Sequence, residues 1–73
     1  AGVMRYYLSR PPIRAGNGDS RIVLDKIQAA GASGIDQKDL VRYARVGFGM
    51  EEKDINRHLT NLLRKGFIHV REE

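Results

Sequence analysis

Seventy-three residues make one small domain with room for about three helices around a single core and little else. The absence of cysteine excludes disulfides and thiolate metal sites, and His58 and His69 stand too far apart to suggest a ligand pair, so no metal and no cofactor are expected. The formal net charge is +4, and nothing resembles a signal peptide or approaches the roughly 18–20 apolar residues of a membrane span, so the expectation is a soluble, intracellular domain without membrane contact.

The charge is unevenly placed. Residues 1–18 carry Arg5, Arg10 and Arg14 and no acid, whereas the rest holds ten basic against nine acidic groups. A cationic arm on a nearly neutral body suits a polyanionic partner, because bound cations displace counterions from phosphates. Inside this arm Val3–Leu8 is rich in aromatic and β-forming residues and reads as a short strand. Pro11 and Pro12 end it, and Ala15–Gly18 reads as a turn. Tyr6 and Tyr7 beside Arg5 have the composition of a base-stacking, phosphate-contacting pair. Packing over the edge of a small core is the alternative for both rings, and the preferred one.

Asp19 or Ser20 is placed to cap a first helix over Arg21–Ala30, with Val23, Leu24, Ile27 and Ala30 as its buried face. Gly31–Gly34 turns the chain, and Ile35, a lone apolar residue, suits a very short strand plugging the core. Asp36, with Asp39 three residues on, approximates a capping box for a second helix, Gln37–Ala44, which buries Leu40, Val41 and Ala44 and exposes Lys38, Arg42 and Arg45. In Arg45–Met50, two glycines flank Phe48, so a turn is expected in which Phe48, and with it Val46, plugs the core. The loop lacks the spacing and the lysine of a phosphate-binding loop.

The third helix, Glu51–Gly66, is the most informative stretch. Ile55, Leu59, Leu62 and Leu63 fall at i, i+4, i+7 and i+8, one apolar stripe. Opposite lie Lys53, Asn56, Arg57, Thr60, Asn61 and Arg64, side chains able to reach phosphates and base edges in a DNA groove. Glu51, Glu52 and Asp54 at the start and Arg64 and Lys65 at the end follow the order a helix dipole favours, and Gly66 stops the helix. His58 sits at the edge of the stripe, where a packed, partly buried imidazole is expected, with a groove contact as the alternative. Phe67–Val70 then alternates as a strand, and Arg71–Glu73 reads as a solvated end.

The order helix, short strand, helix, turn, helix, strand is that of a winged helix, a variant of helix-turn-helix whose third helix enters the major groove. The run Gly31-Ala32-Ser33-Gly34-Ile35-Asp36-Gln37-Lys38-Asp39-Leu40 resembles the G-x-x-G-I-x-Q-x-D-L segment of winged helices, among them the B-block-binding type of the RNA polymerase III machinery and MarR-like regulators. Leu59-x-x-Leu62-Leu63-x-Lys65-Gly66-Phe67-Ile68 is similar to the end of their recognition helix, and together the two runs place the resemblance over residues 21–70. Lys53-Asp54-Ile55-Asn56-Arg57-His58-Leu59 also resembles the K-[DE]-I-N-R-x-L of Zα domains, which bind left-handed Z-DNA and Z-RNA. That resemblance implies backbone contacts by Lys53, Asn56 and Arg57. It is broken by Thr60 where that family has tyrosine, by the absence of tryptophan and of the wing's proline pair, and by a longer turn between the second and third helices.

The expected fold is therefore mainly α with a small β-sheet (α+β), a three-helix winged-helix fold over residues 19–73, with residues 1–18 as a basic arm or an extra strand. After Gly66 too few residues remain for a wing hairpin. Either the chain is cut inside the wing, or Val3–Leu8 completes the sheet beside Phe67–Val70. The expected function is binding of nucleic acid, double-stranded DNA above all, as a transcriptional regulator or an accessory domain of a DNA-processing protein. Asn56, Arg57, Thr60 and Asn61 would face base edges, and Lys53, Arg64, Lys38, Arg42 and Arg5 would face phosphates. A homodimer or a larger parent protein is expected, because a monomer of this size reads few base pairs. The alternatives are a protein-interaction winged helix, Z-form binding, and single-stranded nucleic acid or RNA through Arg5, Tyr6 and Tyr7. With no paired carboxylates, no nucleophile beside a base and no cofactor loop, no enzyme activity is expected.

Overall fold

A computed structural model describes residues 2–10 and 18–73. In chain order the elements are β1 (Met4–Leu8), α1 (Asp19–Ala30), a single 3-10 turn (Gly31–Ser33), β2 (Ile35–Asp36), α2 (Gln37–Phe48), α3 (Glu52–Lys65) and β3 (Ile68–Glu72). Among the described residues, three helices and a small three-stranded antiparallel sheet make an α+β fold, an arrangement compatible with a winged-helix-like domain. Pro11, Pro12, Arg14 and the turn expected at 15–17 lie outside the described residues.

The sheet has the order β2-β1-β3, so the first strand in the chain is its centre. On one side β1 pairs with β2 through Arg5↔Asp36 and Tyr6↔Ile35. On the other it pairs with β3 from Met4↔Glu72 to Leu8↔Ile68. Backbone bonds between Val3 and Glu73 and from Ser9 N to Phe67 O extend this ladder past both ends. The pairing of Val3–Leu8 with Phe67–Val70 thus forms, and β1 occupies the place that a hairpin's return strand would take after β3.

Strand alternation then sorts the side chains into two faces. Tyr6 and Ile68 point inward and are buried, together with Ile35 of β2. Against them pack Val23, Leu24 and Ile27 of α1, Leu40 and Ala44 of α2, and Ile55, Leu59 and Leu62 of α3, the five largest fully buried side chains all coming from the helices. No charged or polar residue is buried among the described residues. Gly34 is required where the chain enters β2: its φ is +70°, and an added Cβ would lie 2.6 Å from the Tyr7 ring and 2.9 Å from the Tyr6 carbonyl oxygen.

Three local expectations are corrected. Helix α1 starts at Asp19 rather than Arg21, because the backbone carbonyl of Gly18 accepts the first amides, from Arg21 and Ile22, and neither Asp19 nor Ser20 serves as a side-chain cap. Asp36 holds the N-cap position of α2 without a side-chain cap bond, so the capping box with Asp39 does not form. Helix α2 runs on through Gly47 to Phe48 and stops only at Gly49, whose left-handed conformation (φ 67°, ψ 21°) lets its amide donate to Arg45 O. The stretch expected to be a long turn is mostly a further turn of helix, and the connection to α3 is short. The residue that plugs the core there is Met50, whose amide donates to Ala44 O at 3.2 Å; Val46 and Phe48 are exposed, at 81% and 50%.

Candidate nucleic-acid interface

Helix α3 ends as its sequence suggests. Gly66 is left-handed, its amide donates to Leu63 O, and the Phe67 amide reaches back to Leu62 O, the paired bonds of a Schellman motif. Its N-terminus is capped by backbone alone: Glu51 O accepts from Asp54 N and Ile55 N, leaving the Glu51 carboxylate free to meet Lys53 Nζ at 3.5 Å.

With the apolar stripe turned inward, a step of about 100° per residue places Lys53, Asn56, Arg57, Thr60 and Arg64 within about a third of the circumference on the outer side, and all five are exposed. Asn61 lies on the flank of this face and is half-buried. Two further contacts, besides that of Lys53 with Glu51, organise the face without closing it. Thr60 Oγ1 donates to Asn56 O at 3.0 Å, so the hydroxyl is held against the helix and its lone pairs face outward. The Arg57 guanidinium reaches Asp54 Oδ1 at 3.4 Å, a loose pair whose arginine side chain is still 63% exposed. Screened exposed pairs of this kind are worth about 0–1 kcal/mol, so a phosphate can displace the carboxylate at little cost.

The other candidate residues are elsewhere. Lys38 and Arg42 line up with Arg45 on the outer side of α2, where they form one wall of an open groove. Glu51 and Glu52 at the start of α3 lie along the same groove, and Met4, Val41 and Met50 also line it. None of the five exposed residues of the α3 face lines this groove. Arg5 is on the sheet, donating to Ser33 O at 3.3 Å and paired with Glu73 at 3.4 Å. The structure therefore unites the α3 residues, keeps the α2 cations as a separate stripe, and places Arg5 apart from both.

Tyrosine and histidine fall out as follows. Tyr6 is a core residue, and burial pushes its phenol above the ordinary value of 10.0. Tyr7 points to the outer face of the sheet, where it donates a hydrogen bond to Glu73 Oε2 at 2.5 Å. That bond, partial loss of water and the negative charge of Glu73 raise its pKa, against the opposing pull of Arg5 and Arg71. His58 is half-buried at the edge of the stripe, as expected, with its Nε2 buried and unpaired among the described residues. His69 is exposed, stacked on Tyr7 and bonded through Nδ1 to Ser9 Oγ at 2.7 Å.

This last cluster could not be read from the sequence, because pairing Tyr7 with His69 needs the strand register. Among the described residues no group of three or more His, Cys, Asp or Glu could hold a metal ion, and no helix is long and apolar enough to cross a membrane. Comparison with protein-family models, with curated proteins and with solved structures yields no match.

Proposed function

We propose that this chain is a winged-helix-type nucleic-acid-binding domain that presents the outer face of α3 to double-stranded DNA, as part of a regulator or of a protein that processes DNA. The observation that carries this reading is the exposed row of Lys53, Asn56, Arg57, Thr60 and Arg64 on a helix that buries Ile55, Leu59 and Leu62 on its opposite side. Arg57 supplies a fork of donors suited to the guanine edge, Asn56 one donor and one acceptor suited to the adenine edge, and Lys53 and Arg64 supply charge for phosphates at the two ends of the row. The carboxylates of α3 are confined to its first turn, where the positive end of the helix dipole accommodates them.

Titration of labelled duplex DNA at two salt concentrations tests this. Affinity should fall steeply with salt, and Arg64→Ala should weaken binding across sequences and lower the salt slope by about one unit. No salt-dependent binding at tens of micromolar protein would overturn the proposal. An alternating-CG duplex held in the Z form belongs in the same titration, since Lys53, Asn56 and Arg57 share one face and a preference for that duplex would make the backbone, rather than the bases, the target.

A second reading, a winged helix that binds protein, is favoured by one observation. Tyr43, Val46 and Phe48 leave apolar surface in water along the C-terminal half of α2, which a duplex would not cover if α3 is the contact. A dimer through that surface would also answer the need for a second half-site.

A further inference from the structure

The outer face of the sheet carries a second cluster that the α3 reading does not use. The register that makes Tyr7↔His69 and Arg5↔Arg71 direct cross-strand partners puts two aromatic rings and two guanidinium groups side by side on the outer face of the sheet, with His69 and Arg71 exposed and Tyr7 and Arg5 half-buried. The Tyr7 and His69 rings stack with centroids 5.2 Å apart and planes inclined by 12°. The Arg71 guanidinium lies 5.3 Å from the centre of the Tyr7 ring. At the end of the ladder beyond Leu8, Arg10 covers the Phe67 ring at 4.4 Å and is tied to Lys65 O at 2.9 Å.

Three features of this cluster point to a ligand rather than to packing alone. First, Arg5 and Arg71 face each other across the strands, a like-charge pair that costs stability on an exposed sheet. The Glu73 carboxylate answers Arg5 but not Arg71, which has no carboxylate partner among the described residues. Second, β3 is an edge strand, so the His69 ring, stacked on Tyr7 on one side, has no neighbouring strand on the other among the described residues. Third, the positions are held: Tyr7 is fixed by its bond to Glu73 and by contact with Gly34, and His69 by its bond to Ser9. Alternate residues of a strand are about 6.8 Å apart, twice the 3.4 Å rise per stacked base, which suits one unstacked base per ring or guanidinium plane.

We propose that this face binds single-stranded nucleic acid, the bases stacking on His69 and Arg71 and the phosphates meeting Arg5 and Arg10. Every base offers a π-face, so binding is tolerant of sequence, and the cations bring the strong salt dependence of a polyanion. The site lies on the sheet, apart from the α3 row, and stands or falls independently of duplex recognition.

The test uses the full chain with labelled oligo-dT and oligo-U, which form no duplex, beside a mixed-sequence duplex. Paired substitution His69→Ala and Arg71→Ala, both at exposed positions, should reduce affinity for the single strands about tenfold or more while leaving duplex affinity unchanged. Arg57→Ala combined with Arg64→Ala should do the reverse. Photo-crosslinking of 4-thiouridine-substituted oligo-U to the wild-type chain, followed by tryptic mapping, provides a readout that needs no variant. Attachment to the peptides 6–14, which trypsin leaves uncut between Arg10 and Pro11, and 66–71 supports the proposal. Absence of single-strand binding, attachment to peptide 58–64, or loss of binding on substitution of α3 but not of the sheet overturns it.

Discussion

Helices α2 and α3 have similar lengths and opposite relations to the core. In α3 the apolar stripe is inside along its whole length: Ile55, Leu59 and Leu62 are buried, Leu63 is half-buried, and the residues on the far side are polar. In α2 the same logic holds only as far as Ala44, with Leu40 and Ala44 buried. Its second half carries Tyr43, Val46 and Phe48 beyond the core, where Phe48 meets the edge of Tyr43 at 5.4 Å and Lys26 sits 4.6 Å over the Tyr43 ring. The helix is longer than the apolar surface beneath it. Its length is set by the glycine that finally adopts a left-handed conformation, Gly49, and not by burial. Both helices stop at a left-handed glycine, Gly49 or Gly66, but only in α3 does burial run on to that stop.

Substitutions in the two helices and their surroundings can break that contrast, and the core side of α3 should respond most. Ile55→Ala removes a fully buried side chain and should lower the unfolding free energy by about 2–5 kcal/mol in urea denaturation; a loss under 1 kcal/mol would mean that α3 is not seated as described. Gly34→Ala comes next, at about 1–3 kcal/mol, since its backbone conformation is one that L-residues avoid and its Cβ would press on Tyr7 and Tyr6. Gly49→Ala should cost about 1 kcal/mol from conformation alone, because an added Cβ there meets nothing within 4 Å. If Gly49→Ala proved the more damaging of the two glycine changes, the close approach at Gly34 would be wrong.

Titration of Tyr6 gives a gentler probe of the same core. Its folded pKa is raised by burial above 10.0, so the folded state holds the phenolic proton more tightly than the unfolded chain. The corresponding stability is complete below pH 10 and declines as pH rises through the folded value. Tyr6→Phe should flatten that alkaline decline. The smallest effect belongs to the exposed end of α2: Val46→Ser should change stability by no more than about 0.5 kcal/mol, since Val46 is 81% exposed. A large loss there would place Val46 against the core, as its sequence context suggested.

These residues also show what the sequence could and could not disclose. Where one helix meets one core, as with Ile55, Leu59 and Leu62, the 3.6-residue period carries the answer, and the polar row of α3 follows from it. The strand at 3–8 and its partner at 67–70 were legible because alternation and composition agreed, and because β3 needed a partner. The end of α2 was not legible, for Gly47 and Gly49 look alike in sequence and only one of them stops the helix. Nor was the outer sheet face, since the contact of Tyr7 with His69, Arg71 and Glu73 depends on a register joining the two ends of the chain. The separation of Lys38, Arg42 and Arg5 from the α3 row has the same origin: helical spacing groups residues within an element and is silent about how elements are oriented.

Whether the outer face of α3 is the duplex-binding surface can be read residue by residue. Amide chemical shifts of the ¹⁵N-labelled chain, followed during titration with a short DNA duplex, give that map. The largest changes should cluster at Lys53, Asn56, Arg57, Thr60 and Arg64 and diminish as salt is raised. Changes confined to the α2 groove around Arg42, Arg45 and Val46, or no changes at all, would contradict the assignment.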